Sequence, residues 1–170
     1  MPGRGMPRPY YNADMYSAFL LVHSLLRWVV VIAGLVVIAR AIAGITGRRD
    51  WRPGDAAGVR WFSIALDVQF LIGLLLYVWL SPFIRDAWAD MGATMRNAPL
   101  RFFAVEHVTG MLIGLALAHV GKSKIGKAAD AAQKHKLAVI FFSLAMVVIL
   151  LSIPWPGMPG GRPLLRGFGG

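Results

Sequence analysis

Cysteine does not occur in the chain. Disulfides, thiolate metal sites, iron–sulfur clusters and covalently attached c-type haem are excluded with it. Acid is scarce too: eight Asp and Glu stand against eighteen Lys and Arg in 170 residues, a net charge of +10. In a soluble protein that balance would point to nucleic acid. Here the basic residues fall mostly in loops between apolar runs, where they orient helices and meet anionic headgroups, so no nucleic-acid partner is expected. No nucleophile–base set, phosphate-binding loop or HExxH motif occurs, which leaves a hydrolase or a kinase without support. A cleavable signal peptide is not expected either, because the first apolar run is too long and lacks a convincing small-residue cleavage site.

What fills the chain is apolar, 57% of its residues. Four runs, 16–43, 59–80, 100–120 and 137–153, are long enough, or nearly so, to cross roughly 30 Å of hydrocarbon, which takes about 20 residues of helix. The last has only 17 residues and stops at Pro154. These runs predict an all-α integral-membrane protein with a single domain embedded in the lipid bilayer. Short connections make successive helices antiparallel neighbours, so the expected architecture is an up-down-up-down four-helix bundle with helices 1 and 3 across a diagonal. Residues 1–15 read as an irregular Pro/Gly-rich extension, with Met1 and Met15 both candidates for the start. The segments 44–58, 81–99 and 121–136 read as loops, and the Pro/Gly-rich tail 154–170 cannot continue a helix.

The side-by-side count of basic residues sets an orientation. Arg40, Arg48, Arg49, Arg52, Arg60 and the five lysines of 121–136 fall on one side, ten in all. Arg4, Arg8, Arg85, Arg96, Arg101, Arg162 and Arg166 fall on the other, seven in all. The positive-inside rule then places both termini outside and the two basic loops in the cytoplasm. Trp51 and Trp61 are expected to belt the inner face, and Trp79, Trp88 and Trp155 the outer one.

Ionisable residues inside such runs cost about 2.5–3.5 kcal/mol each on insertion scales and read as functional by default. The stretch RFFAVEHVTG, residues 101–110, places Glu106 and His107 side by side near the start of helix 3. His23, with Arg27 one turn deeper, stands at the start of helix 1. At 1.5 Å per residue His23, Glu106 and His107 fall about 10 Å below the outer surface, with Arg27 one turn deeper. Two histidines at matched depth on diagonal helices can supply the two axial nitrogens of haem b, with its propionates on Arg27 or Arg101. Glu106 would then pair with Arg27 or take the free N–H of a ligand histidine. Two other readings stay open: a copper or zinc site from His23, His107 and Glu106, and a polar clasp that ties helices together. Gly34, Gly110 and Gly114 would leave room for a macrocycle beside the histidines, although Gly110–Gly114 is equally a GxxxG packing motif. A second polar site is expected where His119 meets Asp67 or Gln69: Asp67 reads as a proton entry or a quinone-ring partner with His119, or else as a neutral acid hydrogen-bonded to a neighbouring helix. A second stacked haem is disfavoured, because His119 follows His107 by 12 residues and lies on a different face. His135, within KHK, is expected to be solvated at the interface.

The blocks HSLLRW (23–28), DVQFLIGLLLYVWLSP (67–82), RFFAVEH (101–107), AHVGKSK (118–124) and IPWP (153–156) carry a resemblance. They are similar to small four-helix bacterial membrane proteins that are labelled cytochrome b-like, over nearly all of residues 15–156. The resemblance implies haem b binding or an accessory role in a larger electron-transfer complex of the bacterial inner membrane. By motif match it carries His23, Arg27, Gln69, Glu106, His107 and His119. An electron carrier is expected, possibly with a quinone, more than a stand-alone enzyme. The rival is a non-catalytic accessory subunit of a respiratory or photosynthetic complex.

Overall fold

The computed structural model describes residues 13–158 and 160–163. Arg4, Arg8 and Arg166, most of the N-terminal extension and the end of the tail lie outside the described residues. Among those residues every regular element is helical. Helix α1 spans Ala13–Thr46 and α2 spans Pro53–Leu75, which continues into a π-helical turn, Leu76–Leu80. Three short helices follow: α3 (Pro82–Ala89), α4 (Met91–Arg96) and α5 (Ala98–Arg101). A second π-helical turn, Phe102–Glu106, leads into α6 (His107–Lys127), and α7 (Ala131–Leu151) completes the fold. Four helical stretches, Ala13–Thr46, Pro53–Leu80, Ala98–Lys127 and Ala131–Leu151, are long and apolar enough to cross a membrane.

The helices overrun the apolar runs, and each extension has a local cause. Residues 13–15, expected to be irregular, already belong to α1. Helix α2 starts at Pro53, six residues before the apolar run, because proline suits the first helical position, where its missing N–H costs nothing. Asp55 then accepts the Arg52 backbone N–H at 3.0 Å. The segment 81–99 is not a loop: Ser81, Asp90 and Asn97 cap three helices in turn. Their side-chain oxygens accept from Ile84, Ala93 and Leu100 N–H at 3.3, 2.8 and 3.1 Å. The lysine-rich segment is helical to Lys127, with Lys124 and Lys127 in the last turn, where positive charge favours the helix dipole. Asp130 caps α7, so the fourth span has 21 residues rather than 17.

Helix α1 packs against α2 and α7, while α6 packs chiefly on α7 and more lightly on α2. Helices α1 and α6 therefore lie across the bundle from each other. The core along α1, α2 and α7 is built from Val30, Val37, Phe62, Leu66, Phe142 and Met146, each almost fully buried. At one end, the buried carboxylate of Asp55 binds Arg49 at 2.7 Å and Arg40 at 2.9 Å, and Arg49 also donates to the Arg40 carbonyl at 2.7 Å. Two of the arginines counted toward the cytoplasmic side are thus an internal clasp between α1, its following loop and α2. His135 at the same end is fully buried, not solvated: its ring packs on Gly44 and lies 4.9 Å from the Trp51 ring. Trp51 is accordingly turned inward, whereas Trp61, Trp79 and Trp88 are exposed.

Candidate cofactor site

At the other end of the bundle the N-terminal part of α1, the C-terminal part of α2, the start of α6 and the end of α7 converge. His23 projects from α1 toward α2. Its ring lies so close to Gly73 that a Cβ there would come within 2.9 Å of Cε1. Gln69, one turn before Gly73, donates its amide to the His23 backbone carbonyl at 3.0 Å and lies 3.4 Å from the ring Nε2. The Gln69 Oε1 and the His23 Nδ1 are buried and have no hydrogen-bond partner among the described residues.

His107 opens α6, directly after the π-helical turn. Its ring Nδ1–H donates to the Ser152 carbonyl of α7 at 2.7 Å. A carbonyl only accepts, so this bond fixes the tautomer and leaves Nε2 without a proton. Phe102 and Phe103 flank the ring at 6.0 and 6.3 Å. The centres of the two imidazoles are 6.4 Å apart, with their planes at 75°. A mostly apolar cavity of about 140 Å³ touches both rings, and Arg27, Gln69, Gly73 and Arg162 also line it. A narrower cleft between α2 and α6, past Phe70, Leu74 and Met111, adjoins the same two histidines.

Several expected members of the site stand elsewhere. Glu106 neither meets Arg27 nor holds a histidine: it pairs with Arg101 at 2.6 Å and is about half exposed. Arg101, offered for propionates, is engaged there and with the Met95 carbonyl. Consecutive helical residues diverge by about 100°, so Glu106 and His107 cannot share a face. The three-ligand copper or zinc set is not assembled, and among the described residues no group of three or more His, Asp or Glu is placed to hold a metal ion. Gly34, Gly110 and Gly114 do not line the cavity. Gly34 admits Met146 and Phe62, Gly110 admits Ser152, and Gly114 lies where a Cβ would come within 2.8 Å of Ile149. All three serve helix packing, which for Gly110 and Gly114 is the GxxxG reading. The glycine against an imidazole of this site is Gly73, whose place in the run GLLLY gave no sign of it.

The second polar group divides. His119 Nε2 and Asp67 Oδ1 are 2.7 Å apart across α6 and α2, both about two-fifths exposed. Gln69 belongs instead with His23. Arg162 was counted only for orientation, yet the tail folds back and brings it to the cavity. Chemically, the site offers two imidazoles, one of them pre-oriented, and two guanidiniums, with no carboxylate among the described residues that line it. No family model matches the chain, and neither do any curated proteins or solved structures.

Proposed function

We propose that the chain is a b-type cytochrome of the bacterial inner membrane that holds haem b between His23 and His107 and passes single electrons, with a membrane quinone as a reaction partner. One observation carries the reading: two imidazoles from helices on opposite sides of the bundle stand 6.4 Å apart, centre to centre, at one apolar cavity. The donor set would suit haem, which would take His23 and His107 as its protein ligands, and does not suit a bare ion that needs three or four.

The haem would supply reversible one-electron storage at its iron. The chain's own residues do the rest. The Ser152 carbonyl holds the His107 ring in one tautomer and direction. Gln69 ties the His23 backbone to α2. The apolar lining keeps water from the ring edges, and the aromatic wall of Phe102 and Phe103 confines the His107 side. With basic loops inward, the site lies toward the periplasmic face and both termini are periplasmic.

A different observation favours an assembly. The Asp67–His119 pair faces outward from two membrane-crossing helices, and a polar pair in that place is costly in lipid. We infer that a neighbouring subunit of an electron-transfer complex covers it. Haem content tests the main reading. Protein purified from haem-replete cells should carry about one haem b per chain, and His23→Ala and His107→Ala should each remove it. A wild-type protein free of haem would overturn the proposal and leave the histidines as a clasp.

A further inference from the structure

The two π-helical turns are joined beside the histidines. In the first, the Ser81 N–H reaches back five residues to the Leu76 carbonyl at 2.8 Å. In the second, the His107 N–H does the same to the Phe102 carbonyl. Such turns are rare and hold one residue more than an α-helical turn, so whatever follows them is rotated by about 100°. The direction in which His107 leaves α6 therefore depends on the second turn keeping its π form.

A side chain of the first turn binds the second. The Tyr77 hydroxyl donates to the Ala104 carbonyl at 2.7 Å, three residues before His107. A carbonyl has two lone pairs, so it can accept this bond beside one within its own helix. Ala104 is almost fully buried, and the Tyr77 ring stands edge-on to Trp88, with centres 6.4 Å apart and planes at 90°. Tyr77 also lines both the cavity and the narrower cleft.

Gln69, Gly73 and Tyr77 follow one another at intervals of four along α2 and its π-helical turn, and so form one stripe. The first holds the His23 backbone, the second makes room for the His23 ring, and the third grips the turn that launches His107. Helices α1 and α6 lie across the bundle from each other, so the spacing of the two imidazoles is carried by the helices between them. On the α2 side that task falls to this stripe. Resting on the haem reading, we propose that Tyr77 is a positioning residue: its hydroxyl keeps the turn before α6 in the π form and so aims the His107 imidazole toward His23.

Tyr77→Phe removes the hydroxyl and keeps the ring against Trp88. Full-length protein with 15N-labelled histidine is compared in haem-free micelles, the His107 signals being assigned by their absence from His107→Ala. Wild type should show one His107 tautomer, with the proton on Nδ1, and Tyr77→Phe an exchanging mixture of both at unchanged helix content. Tyr77→Phe should also bind haem b about 10-fold more weakly. Its reduced form should take up carbon monoxide, which wild type excludes because both axial positions are filled. Wild-type His107 signals and haem affinity in Tyr77→Phe would overturn the role of Tyr77 and leave the haem reading standing. Trp88→Leu disturbs the packing of the Tyr77 ring but not its hydroxyl, and should keep the wild-type tautomer. An effect equal to that of Tyr77→Phe would assign the change to packing and overturn the role of the hydroxyl. A wild type that binds no haem would overturn the haem reading, while the tautomer in the haem-free protein still decides whether Tyr77 holds His107.

Discussion

Gly73→Ala separates the stability of the bundle from the geometry of its site. In a helix interior, alanine is favoured over glycine by about 0.5–1 kcal/mol. The new methyl would meet His23 Cε1 at 2.9 Å. Comfortable carbon contacts lie near 3.5–4.0 Å, so the ring must retreat by roughly 0.6–1.1 Å. Overpacking usually costs about 1–3 kcal/mol, but the ring has the adjoining cavity to move into, which places the cost near the lower limit. The two terms nearly cancel, and the thermal midpoint in detergent micelles should stay within about 3 °C of wild type. The displaced imidazole no longer sits in register with His107, so haem affinity should fall roughly 10- to 100-fold, as for other losses of ligand orientation. Gly126→Ala is the control, because nothing lies within 4 Å of a Cβ there. It should gain about 0.5–1 kcal/mol and bind haem as wild type does. Circular dichroism melts and haem titrations of both variants decide the matter. Wild-type haem affinity in Gly73→Ala would refute the placement of His23.

Asp55→Ala removes the acceptor shared by Arg40, Arg49 and the Arg52 N–H. The buried clasp should be worth about 2–4 kcal/mol, less than a fully buried pair because Arg40 is partly hydrated, and a loss under about 1 kcal/mol in thermal unfolding would contradict it. Glu106→Gln should leave haem affinity unchanged and cost at most about 1 kcal/mol, since the Arg101 pair is exposed; a loss of haem would restore Glu106 to the site. The double variant Asp67→Asn, His119→Leu should unfold like wild type in micelles but migrate as a smaller species from gently solubilised native membranes. Unchanged migration would remove the argument for a covering subunit.

The membrane-crossing helices and the histidine pair were legible because both rest on distance along a helix. Apolar length marks a span, and rise per residue puts His23 and His107 at one depth on opposite helices. The His119–Asp67 contact followed from the same arithmetic. Glu106 misled because its neighbourhood in sequence was read as neighbourhood in space. The angular step between adjacent helical residues sends it to Arg101 and the surface. The caps at Ser81, Asp90 and Asn97 were written in the sequence, with Pro82 and Pro99 close to two of them, but the segment lies between two apolar runs and was read as their connection. His135 hid between two lysines, whose charge suggested solvent. A glycine opposite, Gly44, makes room for its ring, and no pattern within α7 announces that. Arg162 lies in a segment with no periodicity, so its return to the cavity depends on tertiary packing against Phe102 and Phe103.

The most direct test of the account is a reduced-minus-oxidised visible spectrum of the detergent-purified protein beside His23→Ala and His107→Ala. Two axial imidazoles predict a sharp α-band at the b-type position in wild type, absent from both variants while their helicity is retained. A colourless wild-type protein after expression with ample haem, or a band that survives the loss of either histidine, would contradict it.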